Sequence, residues 1–131
     1  MLKINQVEMK KNLEEYSKVE GCPVRNVLDR IGDKWSMLVL LILNDADVLR
    51  FNEMYRYIGS ISQKMLSTTL KTLEADGLVL RKVYPEVPPR VEYKLSEMGK
   101  SLMPHLQGLT AWANENMADI KKSREECIER G

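Results

Sequence analysis

The sequence has few of the residues that form metal centres, disulfide frameworks and hydrolytic active sites. It contains one histidine, His105, and two cysteines, Cys22 and Cys127, which lie far apart in the chain. These three residues offer neither a zinc-ligand spacing nor a disulfide framework. A glycine-rich phosphate loop is also missing. The sequence therefore predicts no bound metal, no cofactor and no catalytic residues.

Long apolar runs and a strong net charge are missing as well. The longest apolar run covers residues 37–43, far fewer than the roughly 20 residues that cross a bilayer, so it predicts a buried helix. No secretory signal is recognisable, and we expect a cytoplasmic protein without a membrane partner. The formal net charge of +1 does not by itself indicate nucleic-acid binding. Acidic residues concentrate near both ends of the chain, however, which leaves a modestly positive middle.

What is present is the pattern of a mainly α fold with a small β-hairpin. The predicted helices cover 3–19, 23–31, 34–44, 51–58, 63–76 and a long stretch after residue 96, and the predicted strands cover 48–50, 79–84 and 91–95. Asp33, Ser62 and Ser96 are expected to cap the helices that follow them, and Gly77 to end the helix over 63–76. Pro104 is expected to kink or interrupt the last helix.

This order of elements is that of a winged helix-turn-helix. The helices over 51–58 and 62–76 with the turn between them form the helix-turn-helix, and the hairpin over 79–95 forms the wing. Because a helix fits the major groove of B-DNA, the order favours double-stranded DNA as the partner. We expect a DNA-binding domain over 21–95, a helical arm over 1–20 and a dimerisation helix with its tail over 96–131.

The outward face of the helix over 63–76 carries most of the predicted DNA contacts. With its leucines facing the core, the step of about 100° per residue turns the following side chains outward or to the flank: Gln63, Lys64, Ser67, Thr68 and Lys71. Amides, hydroxyls and ammonium groups hydrogen-bond to bases and neutralise phosphates. The same face would also suit plain solvation. The adjoining wing favours the DNA interpretation.

In the wing, Arg90 follows three prolines in the loop between the two strands. Prolines reduce the entropy that is lost when a loop is held against a ligand. A rigid loop that carries one arginine suits insertion beside a minor groove. The alternative is a plain hairpin whose prolines only protect an edge strand.

The long C-terminal helix carries more apolar surface than a small core requires. Its expected interface residues are Leu102, Leu106, Leu109, Trp112, Met117 and Ile120. Most helix-turn-helix proteins read two half-sites through a twofold axis. We therefore expect a homodimer that is joined by this helix and the N-terminal arm, on a roughly palindromic operator.

Six ordered motifs resemble the HxlR family of winged helix regulators, which is related to the MarR group. They read CPVR at 22–25, IGDKW at 31–35, RFNEM at 50–54, ISQKMLS at 61–67, LEADGLV at 73–79 and YPEVPPRVEY at 84–93. The likeness runs from about Cys22 to Trp112, in the family's order. It implies a dimeric DNA-binding transcription regulator without enzymatic activity.

Cys22 is a candidate regulatory thiol. It precedes Pro23 at the start of a predicted helix, with Arg25 nearby, and helix amides and a cation both favour the thiolate. The resemblance implies that a cysteine here senses oxidants or electrophiles in some members of the family. A small buried thiol is the alternative, and an intersubunit bridge from Cys22 to Cys127 stays open.

Two other functions fit parts of the pattern. A winged helix that binds protein instead of DNA would need no positive recognition face. A thiol enzyme that used Cys22 would need a base, and the only histidine, His105, lies far along the chain. The operator, the target genes and the identity of any effector are not encoded in a recognisable motif.

Overall fold

The computed structural model describes residues 5–17 and 22–131. Within these residues six helices and three strands follow one another as α1 (Gln6–Ser17), α2 (Pro23–Ile31), α3 (Lys34–Ala46), β1 (Val48–Arg50), α4 (Phe51–Ile58), α5 (Gln63–Ala75), β2 (Val79–Tyr84), β3 (Arg90–Leu95) and α6 (Glu97–Arg130). The ends of the helix predicted over 3–19 lie outside the described residues. The predicted order of elements is confirmed.

The predicted hairpin is part of a three-stranded antiparallel sheet with the strand order β1-β3-β2. β1 adds to the free edge of β3, with Leu49 opposite Tyr93. Val79 lies opposite Leu95 on β3, and both side chains are buried. One face of the sheet is therefore attached to the core, while the wing loop extends beyond it.

The core lies between α3, α5, the sheet and the first turns of α6. α3 is its centre, since Val39, Leu40 and Leu43 are almost fully buried. α5 contributes the predicted leucines Leu66, Leu70 and Leu73, none more than 1% exposed. This packing fixes the rotation of α5 about its own axis, and so it decides which side chains of α5 face outward.

Side-chain caps begin three of the helices, as the sequence predicts. Asp33 accepts hydrogen bonds from the backbone N–H groups of Trp35 and Ser36 at 3.0 and 2.9 Å. Ser62 accepts one from Met65 N–H at the start of α5. Ser96 accepts one from Gly99 N–H at the start of α6.

The end of α5 is joined directly to the start of α6. Gly77 terminates α5 with a φ of +78°, a backbone conformation that favours glycine. The Ser96 hydroxyl donates a hydrogen bond to Gly77 C=O, and Ser96 N–H donates one to Leu78 C=O at 3.0 Å. The segment 76–78 is thus bound to the first turn of the long helix.

Pro104 does not interrupt α6, which is one continuous helix of 34 residues and about 50 Å long. A proline inside a helix removes the hydrogen bond to the carbonyl four residues earlier, here that of Lys100. Both residues are exposed, so this carbonyl can be hydrated instead. The expected interruption is therefore wrong, because solvation lowers the cost of continuing the helix.

Candidate nucleic-acid interface

The outward face of α5 combines amide, hydroxyl and ammonium groups. The side chains of Gln63, Lys64, Thr68 and Lys71 are exposed, and Ser67 lies half-buried on the flank. No carboxylate interrupts this face before Glu74, in the last turn of α5. Lys64 and Lys71 form no ion pair with the described residues, so both ammonium groups are available to a polyanion.

The hydroxyl of Thr68 can act only as an acceptor toward an external group, because its proton is already donated within α5. It donates to Lys64 C=O at 2.9 Å, while Thr68 C=O accepts from the Thr72 hydroxyl at 3.0 Å. The Thr68 oxygen therefore keeps its lone pairs for an external donor. In the major groove such donors are the amino groups of adenine and cytosine.

Arg90 occupies a different place from the one its loop position suggested. It is the first residue of β3, opposite Tyr84, and its guanidinium carbon lies 3.8 Å from the centroid of that ring. Its Nη2 is 3.3 Å from a carboxylate oxygen of Glu86, and its Nε is 4.0 Å from one of Glu92. Arg90 thus connects both strands and the loop of the wing.

The outer face of the sheet is basic, a feature that the sequence analysis did not predict. Residues opposite one another on paired strands share a face, and these pairs place Arg50, Lys82, Lys94 and Arg90 on the side away from the core, together with Glu92. Strand alternation around the buried Val79 and Leu95 is the signal that could have found them.

One further exposed cation, Arg56, lies on α4, the first helix of the helix-turn-helix. Arg50, Asn52 and Arg56 line a shallow polar depression together with Glu53 and Glu92. Arg50 N–H donates a hydrogen bond to the Glu53 carboxylate at 2.9 Å, which fixes the start of α4. The first helix of a helix-turn-helix crosses the DNA backbone. Cations on this helix could therefore have been predicted from the sequence as phosphate contacts.

The expected interface residues of α6 divide into two groups. Leu106 is 5% exposed and belongs to the core of its own chain, and Leu102 is half-buried against that core. Leu109, Trp112, Met117 and Ile120 are exposed. Steps of about 100° put Leu109, Met117 and Ile120 within about 60° of Leu106 around the helix. The core-facing side therefore continues beyond the body of the domain, where no described residue of the chain covers it.

Apolar surface is also exposed on the first two helices. Val7 and Leu13 of α1 are 80% and 60% exposed, and Val24, Val27 and Leu28 of α2 are exposed as well. Grouped exposed side chains of this size mark an interaction surface. Of the apolar residues on this face of α2, only Ile31 reaches the core.

The two cysteines differ in exposure. Cys22 is 2% exposed at the position that precedes α2, whereas Cys127 is exposed near the end of α6, and both are free thiols. Within the described residues no group of three or more histidine, cysteine, aspartate or glutamate side chains could hold a metal ion. No described helix is long and apolar enough to cross a membrane.

Comparison with known proteins identifies this architecture. The model of the HxlR-like helix-turn-helix family matches residues 30–121. The HTH-type transcriptional regulator YybR of Bacillus subtilis is 46% identical over 115 residues, which cover 88% of this chain and 90% of YybR.

Solved structures agree with the sequence comparison. The redox regulator HypR in its reduced form superposes with a TM-score of 0.73 at 42% identity, over 76% of this chain and 98% of HypR. The reduced form of the transcriptional regulator YodB of Bacillus subtilis gives 0.64 at 39% identity, over 72% and 92% of the two chains. Proteins of this kind are regulators and not enzymes, which excludes the thiol-enzyme hypothesis. The chain belongs to the HxlR-like helix-turn-helix family of transcriptional regulators.

Proposed function

We propose that the protein regulates transcription as a homodimer that binds a roughly palindromic operator, with α5 of each subunit in the major groove. The outward face of α5 is the observation that carries this proposal. Its exposed side chains are those that read bases and neutralise phosphates, and the leucines behind them hold the helix at one rotation.

Within α5 the proposed contacts have separate roles. Gln63 and Ser67, on the first two turns, hydrogen-bond to base edges, since the N-terminal part of a recognition helix lies deepest in the groove. Thr68 accepts a hydrogen bond from a base amino group, because its own proton is engaged. Lys64 and Lys71 neutralise phosphates, a contribution that is independent of sequence and dependent on salt.

In the wing, Arg90 contributes by holding the loop against the adjacent groove. Its stacking on Tyr84 and its two carboxylate neighbours favour a bracing role over deep insertion. The basic outer face of the sheet supplies the charge for phosphate contact, through Lys82 and Lys94. Arg50 and Arg56 of the helix-turn-helix extend the same positive surface.

The second subunit is the proposed cover for the exposed apolar surfaces. Leu109, Trp112, Met117 and Ile120 on α6 and the exposed residues of α1 form the proposed dimer interface. A twofold pair of recognition helices reads half-sites roughly 34–36 Å apart. This spacing makes the operator a pair of inverted repeats about one helical turn apart.

A set of α5 variants tests the proposal. The operator is first recovered by sequencing genomic fragments that bind the purified protein. Lys71→Gln is expected to weaken binding to all sequences alike and to reduce the slope of log K against log salt by about 1. Thr68→Val is expected to relax the preference at one base position, at a cost of about 1–3 kcal/mol on the preferred base.

Lys100→Gln is the matched control, since Lys100 is exposed on α6, next to Glu97 and away from α5. It should leave both affinity and salt dependence unchanged. If the two α5 variants bind the operator as the unsubstituted protein does, α5 is not the recognition helix.

We further propose that oxidation of Cys22 alters operator binding. The position at the start of α2 and the likeness to a protein that is called a redox regulator support this role. Diamide in the presence of glutathione oxidises the Cys22 thiol and the glutathione thiol together to a mixed disulfide, while diamide itself is reduced to the hydrazine. A gel shift with these reagents and then with dithiothreitol should show a reversible change that Cys22→Ser abolishes and Cys127→Ser does not. Loss of the change in Cys127→Ser would instead assign it to an intersubunit disulfide between Cys22 and Cys127. Unchanged binding of the unsubstituted protein under diamide would remove Cys22 from the mechanism.

A further inference from the structure

An apolar cleft of about 330 Å³ separates α2 from the first turns of α6. Val27 and Ile31 of α2 form one side, Met98 and Leu102 of α6 form the other, and Leu78 closes the bottom. Ile31 belongs to the core, whereas Val27 and Met98 are exposed at the mouth. The volume falls within the range of small-molecule sites in proteins.

One ion pair supplies the guanidinium and carboxylate groups of the cleft, and the His105 imidazole and the Ser101 hydroxyl complete its polar lining. Arg30 of α2 donates from Nη1 to Oδ1 of Asp76, the residue that ends α5. The Asp76 side chain is only 15% exposed, and its Oδ2 has no hydrogen-bond partner among the described residues. The Arg30 side chain is 54% exposed, so its guanidinium group stays accessible to a ligand.

These charges decide which ligand chemistry suits the cleft. The pair is neutral overall, so a cation would meet the guanidinium group and an anion would meet the carboxylate. The accessible hydrogen-bonding capacity at this end is that of a donor, because a guanidinium group has five N–H bonds and Asp76 engages it through one nitrogen, whereas the unpaired Asp76 Oδ2 is itself buried. The hydroxyl of the neighbouring Ser101 already donates to Met98 C=O.

We propose that this cleft binds a small, neutral, mainly apolar molecule whose carbonyl or ether oxygen accepts a hydrogen bond from Arg30. Occupancy would act on the operator-binding helix, because Arg30 and Asp76 join α2 to the end of α5. That regulatory consequence depends on the function proposed above, whereas binding in the cleft does not.

A matched pair of probes tests the site. 1-Indanone carries one carbonyl oxygen, and indane has the same bicyclic frame without it. Each is titrated into the full-length protein with ¹³C-methyl-labelled methionines, and Met98→Leu assigns the Met98 signal. We expect both probes to shift the Met98 signal, and 1-indanone to bind about fivefold more tightly, as one added hydrogen bond allows.

Variants separate the two parts of the proposal. Arg30→Met with Asp76→Leu removes the guanidinium donor without leaving a lone buried charge and without adding an amide N–H group, and it should equalise the two affinities. Met98→Trp should fill the mouth and block both probes, and its circular dichroism spectrum should match that of the unsubstituted protein, which excludes a loss of folding. Leu80→Trp, at an exposed site on the sheet, is the control and should bind both probes normally.

Three results would overturn the proposal. Equal affinities in the unsubstituted protein would refute the acceptor role. Shifts that leave Met98 unaffected would refute the location. Affinity that falls as protein concentration rises would show that a second subunit covers the cleft. Operator binding is measured separately without a probe, so failure of the proposed function would not be mistaken for failure of the site.

Discussion

At the scale of the residue, two glycines on the same helix have opposite surroundings. A Cβ atom on Gly99 would lie 2.2 Å from Leu78 C=O, whereas one on Gly108 would meet nothing within 4 Å. Gly99 is buried where α6 crosses the segment after α5, and Gly108 is exposed in the middle of α6. The first glycine allows two backbone segments to approach, and the second only weakens the helix.

Alanine substitution should therefore act in opposite directions at the two positions. Gly99→Ala is expected to destabilise the fold by about 2 kcal/mol or more, because a backbone carbonyl must move. Gly108→Ala is expected to stabilise it by about 0.5–1 kcal/mol through helix propensity. Urea unfolding of both variants measures the change, and equal effects would contradict the close approach at Gly99.

Asp33 is expected to make the stability of the fold depend on pH in the acid range. Burial acts to raise the pKa of Asp33, but hydrogen bonds from the Ser36 hydroxyl and from the N–H groups of Ser36 and Trp35 outweigh it, so the pKa lies below its ordinary 3.8. A lowered pKa means that the ionised form stabilises the folded state. This contribution is complete above pH 3.8 and is lost as the pH falls through the lower folded-state pKa.

Asp33→Ala should cost about 1 kcal/mol at neutral pH through loss of the cap. The difference from the unsubstituted protein should shrink below about pH 3.8, as the cap is protonated in both states. Chemical unfolding between about pH 2.5 and 7 checks this prediction. A difference that stays constant over that range would mean that the carboxylate charge is not what stabilises α3.

At the scale of the element, local sequence patterns predicted most of the helices and strands. The packing partner of each apolar face was harder to predict. Asp33, Ser62 and Ser96 cap where they were expected to, since capping depends on residues three positions apart. Leu106 was assigned to the dimer interface but lies in the core. A 3.6-residue period identifies an apolar face without identifying its partner.

The wing shows the same limit for charged residues. Arg90 was expected to extend from a loop, but it stacks on Tyr84 within the sheet. The pairing of β1 with β3, which adds Arg50 to the basic outer face, joins residues more than 40 positions apart. Such long-range pairing leaves no local signal in a single sequence.

Pro104→Ala is expected to stabilise the chain by about 1–3 kcal/mol, because the N–H group it restores can bond to Lys100 C=O inside a continuous helix. Gln107→Ala, at an exposed site one turn later, is the control and should change stability by less than about 0.5 kcal/mol. The melting temperature of each variant reports the effect. A destabilised Pro104→Ala protein would show that α6 depends on the proline geometry for its packing.

At the scale of the whole molecule, the distribution of exposed apolar side chains argues for assembly. Among the described residues, most of them lie on α1, α2 and the part of α6 from Leu109 onward, while α3 and α5 each expose only one, Leu38 and Met65. The core of the single chain is already well buried, so these exposed side chains are not needed to complete it. The exposed faces of α1 and of this part of α6 are therefore expected to be buried in the functional assembly.

Ile120→Glu should convert the proposed dimer to a monomer, since a carboxylate in an apolar interface is costly to desolvate. Ala111→Glu makes the same change of charge on another side of α6, about 140° from Leu106, and should leave the dimer intact. Light scattering at micromolar concentration gives the mass. A monomeric unsubstituted protein, or equal masses for the two variants, would refute this interface.

In the proposed dimer, the hydrogen bonds from Ser96 to Gly77 and Leu78 have a mechanical consequence. Because the segment that follows α5 is attached to the start of a helix about 50 Å long, we expect α5 and α6 to turn together. A small change in the angle between the α6 helices of the two subunits would then produce a larger change in the distance between the two α5 helices. Regulation would then act on inter-half-site distance while every base-contacting side chain kept its conformation.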